Sequence, residues 1–314
     1  AVCHIARALQ RETGQSRLTL AGGVALNSVA NGKILDHTPF TELFVQPAAG
    51  DNGTSIGAAL WVQHQLLGQP RRFVMHHAYT GPTFSEEDCL VALRQLWGES
   101  AVLDEQGRLE VAEIETVGRD GQPCKGRLRI EKLSEAELID RAVSAIDRGE
   151  VIGWFQGAME FGPRALGHRS ILSDPRRADM KDILNRRIKH RESFRPFAPA
   201  ILAEKTSEWF VRAAPSPAML LVDTVRPERR ALVPAIVHAD GTGRLQTVDR
   251  AHSPLFYALI AAFAERTSVP ILLNTSFNEH EPIVCSPLDA LRCFLKTHMD
   301  ALGLRNLWLS WVVD

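Results

Sequence analysis

The sequence predicts an α/β unit followed by an α+β domain, and three features predict it. Residues 1–68 alternate helix-period and strand-period segments, residues 108–133 carry two stretches of β-type alternation around a turn, and the remainder mixes helices with short strands without any repeat. A chain of 314 residues with 45% hydrophobic and 23% charged residues is long and apolar enough for one large domain or two modest ones.

The elements follow in order. Helices are expected over 2–12, 24–35 and 54–67, with strands over 18–21 and 43–45 between them. Residues 69–85 turn to Pro, Gly, Arg and His, which suits an extended connection. A short helix over 86–96 precedes the hairpin, whose arms are 108–117 and 126–133 and whose turn is Gly118-Arg119-Asp120-Gly121-Gln122. Ser134 and Glu137 form the two ends of a capping box that opens a helix running to about Arg148. Beyond a strand over 151–155, helices are expected over 179–189, 255–266 and 287–296. Strands are expected over 199–202, 218–222, 270–273 and 306–309.

Composition narrows the function classes. Lys plus Arg number 36 against 37 Asp plus Glu, so the formal net charge of -1 gives no global attraction to nucleic acid or anionic membrane, and any basic site must be local. No apolar stretch approaches the roughly 20 residues that span a bilayer, and no secretory leader opens the chain, so a soluble cytoplasmic protein is the expectation. Cys3, Cys89, Cys124, Cys285 and Cys293 are scattered, with no C-x-x-C pair and no zinc spacing. The chain begins at Ala1 inside what reads as a running helix, which predicts a chain entered partway.

Two glycine turns stand at the ends of the first two strands. Gly22-Gly23 before Asn27, and Gly50-Asp51-Asn52-Gly53, each bring backbone N–H groups and a helix start to one point, a layout that suits phosphate. The competing reading is steric, and for Asp51 it is an ordinary helix cap.

The strongest local feature runs from Trp154 through Gly157, Glu160, Gly162, Pro163, Arg164, Gly167, His168 and Arg169. Between Glu160 and Pro196 there are ten Lys plus Arg against five Asp plus Glu, a local excess of +5 in a neutral chain. Arg164, Arg169, Lys189, Arg191 and Arg195 sit among Gly, Pro and aromatic residues and are expected to bind an anion by bidentate contact, whereas 176–187 reads as a solvated helix face. Farther on, His238, Asp240, Thr242 and Arg244 cluster around glycines. An apolar strand then ends in Asn274-Thr275-Ser276-Phe277-Asn278, which offers hydroxyl and amide groups at one edge and reads equally as an Asx or ST turn. The chain has no Walker A or H-E-x-x-H pattern.

Taken in this order, these stretches resemble the signature blocks of the O-carbamoyltransferase family of NodU/CmcH type. The blocks are Ala21 to Asn27, Gln46 to Gly53, Met159 to Gly167, Phe194 to Pro199, His238 to Gln246 and Asn274 to Asn278. The resemblance covers nearly the whole chain and is weakest over 90–133.

It implies two modules: 1–80 as the rear portion of an actin-like (ASKHA) ATPase and carbamoyl-transfer domain, and 134–314 as a YrdC-like α+β domain, with 81–133 connecting them. It implies that carbamoyl adenylate is made from carbamoyl phosphate and ATP with Mg2+, and that the carbamoyl group passes to a hydroxyl of a small-molecule acceptor. By the same resemblance Arg164, Arg169, Lys189, Arg191, Arg195, Arg244, Ser276 and Asn278 line the adenylate-forming site. Gly22, Gly23, Asn27, Gly50, Gly53, His238 and Thr242 hold nucleotide, and Asp51 ligates a divalent Fe, Mn or Zn. The family's metal-binding histidine pair, at H-x-x-x-H spacing, is absent from the 11 histidines here, which implies that the first ATPase lobe lies outside this chain. A separate N-terminal lobe and a second copy of the chain are the partners to consider. Neither a membrane nor a nucleic acid is expected, and a non-catalytic anion-binding subunit is the alternative.

Overall fold

Strand β1 (Arg17–Leu20) lies parallel to β2 (Glu42–Val45), with Leu18 opposite Leu43 and Leu20 opposite Val45. The two strands need a crossover connection because they run the same way, and α2 (Ser28–His37) supplies it. The structure is a computed structural model, and it describes residues 1–117, 123–192 and 197–312. Helix α1 (Val2–Thr13) ends at Gly14, whose φ of 65° closes the last turn. The helix expected over 24–35 divides into a 3-10 turn (Gly23–Leu26) and α2, because the Asn27 side chain accepts the Ala30 N–H and caps a new helix there. Helix α3 (Thr54–Trp61) runs on into a π turn (Val62–Leu66).

The N-terminal unit has a small core of its own, in which Ala6, Leu18, Ile34 and Phe40 are buried. A second cluster joins Ala25, Val45 and Ala49 to Ala78, Leu166 and residues 218–220 of the second part of the chain. Helix α3 buries none of its residues, and Trp61, Leu66 and Leu67 are more than 60% exposed.

The second part is built on one mixed sheet. After α4 (Glu86–Trp97), opened by a Ser85–Asp88 capping box, come β3 (Arg108–Val117) and β4 (Pro123–Lys132); the expected turn at 118–122 lies outside the described residues. Then follow α5 (Glu135–Asp147), with the expected Ser134–Glu137 box, β5 (Ile152–Phe155), β6 (Arg169–Ser173) and α6 (Met180–Leu184). The chain continues through β7 (Ala198–Leu202), α7 (Thr206–Trp209), β8 (Leu221–Thr224) and β9 (Thr242–Val248). It closes with α8 (Pro254–Thr267), β10 (Ile271–Ser276), α9 (Pro287–Thr297), β11 (Ala301–Leu304) and β12 (Leu307–Trp311).

Strand order is β3-β4-β12-β11-β5-β6-β10-β7-β9-β8, parallel at β11–β5 and β7–β9 and antiparallel at the other pairings. Strands β5, β6 and β7 are buried at every residue, as central strands covered on both faces must be. Helices α5 and α8 pack on each other, as do α4 and α9. The hairpin extends this sheet through β4–β12 pairing.

Three strands were not anticipated. β6 opens on buried Arg169, β9 grows out of residues that read as a polar turn, and β11 is too short to show a period. The strand expected over 218–222 starts later, at Leu221, because Met219 takes a φ of 58° that no strand continues. The helix expected over 179–189 is α6 followed by a π turn, Asn185–Lys189. Among the described residues no helix is long and apolar enough to cross a membrane.

Candidate anion-binding site

Strand β5 ends at Phe155, β6 begins at Arg169, and the loop between them is fixed by two buried charges. Oε1 of Glu160 accepts the N–H groups of Leu166 at 2.6 Å, His168 at 2.9 Å and Arg169 at 3.3 Å. Three amides on one carboxylate oxygen curl residues 160–169 into a closed loop. The fully buried Arg169 guanidinium lies 3.7 Å over the Phe155 ring and donates to the carbonyls of Gln156 (2.6 Å), Gly157, His168 and Pro82. Burial draws its pKa down to about 10, so it remains a cation at neutral pH. The far side of the loop is held as well. Asn274 Nδ2 donates to the Ala165 carbonyl at 3.3 Å, while Gln246 Nε2 and the Tyr79 hydroxyl donate to the Leu166 carbonyl at 2.7 and 2.9 Å. Gly162 presses on the second glycine turn with φ 145°; a Cβ there would come within 2.9 Å of the Pro47 carbonyl oxygen.

This loop delivers Arg164 to a cavity of about 290 Å³ lined by Pro163, Arg164, Ala165, Arg191, Met219, Arg244, Thr275 and Ser276. Three guanidiniums line it, and among the described residues no carboxylate does. Arg164 donates to the Leu26 carbonyl at 3.2 Å, and Arg191 Nε to Asn185 Oδ1 at 2.9 Å. Among the described residues Arg244 has no hydrogen-bond partner, and its Nε is buried. Burial, reinforced by the like charges of Arg164 and Arg191, pulls Arg244 down to about 9, and burial alone lowers Arg164. Like charges drawn together at partly buried positions repel one another, and an anion in the cavity would relieve that repulsion.

Lys189, Ser276 and Asn278 come together, but Lys189 does not line the cavity. Its Nζ donates to the carbonyls of Ser276 (2.7 Å) and Asn278 (2.6 Å) and to Asn278 Oδ1 (2.9 Å), while Ser276 Oγ donates to Asn278 Oδ1 at 2.7 Å. The lysine thus holds the end of β10 so that Ser276 faces the cavity. Burial, with Arg191 adding repulsion, lowers Lys189 to about 7.

The other candidates are placed elsewhere. Arg169 is tied to carbonyls and contributes nothing to the cavity lining. His238 and Thr242 close a turn, with Thr242 Oγ1 3.0 Å from His238 Nδ1 and 2.7 Å from Asp240 Oδ1, and burial lowers His238 to about 4. In the glycine turns the Gly22 N–H is taken by the Ala49 carbonyl at 2.7 Å, and Asn27 caps α2. Gly50 accepts the Gly53 N–H within the same turn, and Gly53 leaves no room for a Cβ, which would lie 2.0 Å from the Ala48 carbonyl oxygen. These contacts favour the steric reading of the second turn, whereas a Cβ at Gly22 or Gly23 would meet nothing within 4 Å and Gly22 is favoured by its φ of 99°.

Asp51 is exposed at the start of its 3-10 turn. No group of three or more His, Cys, Asp or Glu among the described residues is placed to hold a metal. The residues present therefore do not by themselves fit the divalent metal that the resemblance implies. Arg195 lies outside the described residues. Thr275 and Met219 line the cavity without having been singled out; Thr275 stood inside a motif already noted, whereas nothing in the sequence marks Met219.

The carbamoyltransferase C-terminus family model matches residues 143–310, which hold the whole cavity, and the carbamoyltransferase N-terminus model matches residues 2–60. The chain is 42% identical over 305 residues to nodulation protein NolO of Bradyrhizobium diazoefficiens, covering 96% of this chain and 50% of that protein. It is 42% identical over 305 residues to nodulation protein NolNO of Sinorhizobium fredii, covering 96% and 41%, and 31% identical over 283 residues to nodulation protein U of Rhizobium tropici, covering 89% and 42%. The chain thus spans about half the length of the relatives it matches, or less. With more than half of its residues inside the C-terminal family model, the chain belongs to the carbamoyltransferase family.

Proposed function

We propose that the arginine cavity binds the phosphates of carbamoyl phosphate and ATP, and that the protein forms carbamoyl adenylate and passes its carbamoyl group to a hydroxyl of a small-molecule acceptor. One observation carries this reading: Arg164, Arg191 and Arg244 line one cavity with Ser276 and Thr275. The reaction balances with one water. Water takes the phosphate from carbamoyl phosphate, the carbamate oxygen attacks the α-phosphorus of ATP, and pyrophosphate leaves. The acceptor oxygen then attacks the carbamoyl carbon, AMP departs, and the hydroxyl proton is released. Mg2+ enters as the triphosphate's counter-ion. The chain's own part is to orient phosphate oxygens with fixed guanidiniums and hydroxyls as charge builds on them. No step is assigned to a metal at Asp51.

The test is titration of carbamoyl phosphate and of ATP with Mg2+ into the chain, read by calorimetry, beside an assay of pyrophosphate release. Arg244→Ala is expected to weaken binding by about 1.5–3 kcal/mol, the scale of a charge-assisted hydrogen bond. Absence of binding by folded wild-type protein overturns the placement. A second reading, an anion-binding portion that needs another chain for transfer, is favoured by the uncovered apolar surface of α3 and the π turn after it. Binding without pyrophosphate release would select that reading.

A further inference from the structure

A second cavity, of about 90 Å³, lies against the same wall as the first. Ala165 and Met219 line the arginine cavity, while their chain neighbours Leu166, Ala218 and Leu220 line this one. It is closed by the N-terminal unit through Phe44 and by the connecting segment through His76, His77 and Tyr79; Asp249 and His252 come from the loop after β9. The rings form a continuous set, with His76 and His252 centroids 5.9 Å apart, His252 and His77 5.5 Å apart, and His77 and Tyr79 5.7 Å apart.

Its charge is the reverse of its neighbour's. Among the described residues no lysine or arginine lines it, and Asp249, paired with the His252 ring at 2.8 Å, is the one carboxylate that does. Burial by itself would raise the Asp249 carboxyl, but hydrogen bonds from the His252 ring, at 2.8 Å, and from the His252 N–H hold it below the usual range. Burial and the nearby Glu160 keep the Tyr79 phenol protonated. Aromatic faces arranged around one anionic oxygen, in a partly desolvated pocket between two parts of a chain, are the recognition chemistry of an organic ammonium ion.

We infer that this cavity binds a small organic ammonium ion, with its apolar body against Phe44, Tyr79 and the imidazoles and its charge toward Asp249. The volume is below the ~150 Å³ that takes a benzene ring, so the buried part of the ligand is a compact head. Phe44 is about half exposed and His76 is exposed, so the rest of such a ligand extends past this rim. The site is independent of the phosphate chemistry next to it.

The probes are choline and its uncharged isostere 3,3-dimethylbutan-1-ol, titrated at pH 8 into the chain and followed by calorimetry and by the imidazole proton signals. Choline is expected to bind in the millimolar range, and the alcohol about tenfold more weakly. Asp249→Asn should bring choline down to the alcohol's affinity. Phe44→Leu keeps an apolar side chain at an exposed position and removes the ring, so it should weaken choline severalfold and leave the alcohol unchanged. Equal affinity for the two probes overturns the inference, because it would mark an apolar pocket without charge selection. Choline binding that survives both substitutions, or no saturable response, overturns it as well. If Asp249→Asn fails to fold, the Phe44→Leu comparison decides alone.

Discussion

Arg164 donates to the carbonyl of Leu26 at 3.2 Å, across the seam between the two parts of the chain. Leu26 is the last residue of the 3-10 turn that follows Gly22, so the first glycine turn helps to set an arginine in the second part's cavity. Asn31 reinforces the seam, donating from Nδ2 to the carbonyls of Ala25 at 2.7 Å and Leu220 at 2.9 Å. The two glycine motifs and the arginine loop are remote in sequence, yet they meet through these bonds and through the buried cluster of Ala25, Val45, Ala49 and Leu166.

Arg244 holds a half-buried cation with no hydrogen-bond partner among the described residues, so its removal should have opposite effects on binding and on stability. Arg244→Met is expected to raise the thermal unfolding midpoint of the free protein by the equivalent of about 1 kcal/mol while abolishing anion-induced stabilisation. A lower midpoint would mean that Arg244 stabilises the fold instead of serving a ligand.

Glu160 serves three amides with one oxygen, and its other oxygen is buried without a partner. Glu160→Ala leaves those amides unpaired and should cost about 3 kcal/mol or more, measured by denaturant unfolding. Glu160→Gln keeps one accepting oxygen, should cost about 1–2 kcal/mol, and should loosen the loop enough to weaken anion binding. Equal losses for the two variants would show that the carboxylate oxygen is not what shapes the loop.

Lys189 gives the anion site a pH dependence. Its folded value of about 7 lies below the ordinary lysine range, so the fold favours the neutral amine, and the unliganded protein gains stability as pH rises from about 7 toward 10. An anion beside Ser276 favours the protonated form and raises that value. Phosphate binding at pH 8 is therefore expected to take up protons, and affinity should fall as pH rises above 7. Calorimetry in buffers of different ionisation heat measures the uptake; Lys189→Met should remove it.

Gly53 has a steric reason to be glycine. A Cβ would lie 2.0 Å from the Ala48 carbonyl oxygen, so Gly53→Ala must displace the turn and should cost about 2 kcal/mol, with no nucleotide needed to see it. An unchanged unfolding midpoint with lost nucleotide affinity would restore the phosphate-cradle reading of this turn.

Much of the fold was legible because periodicity and caps are local. The Ser134–Glu137 capping box, the hairpin arms and the alternating helices and strands of the first 45 residues all appear close to where pattern alone put them. Positions β6, β9 and β11 were not legible: β6 is buried at every residue and shows no alternation, β9 grows out of residues that read as a polar turn, β11 is too short to show a period, and Arg169 at the head of β6 reads as an anion ligand. The same charge misleads at the site. Arg164 and Arg169 share one motif, yet one faces a cavity and the other is spent on carbonyls, a difference set by the partners that Phe155, Pro82 and Glu160 provide.

The sequence by itself determined the family, the order of the motifs and the local excess of positive charge, because residue type and spacing are written directly in the chain. Tertiary structure decided which cations converge. Arg164, Arg191 and Arg244 come from a loop, a turn after a π-helical segment and a strand, and only the pairing of β6, β10, β7 and β9 brings them to one cavity. It also decided that the neighbouring cavity has the opposite charge, since the sign of a pocket depends on which side chains share its walls and not on how charges are distributed along the sequence.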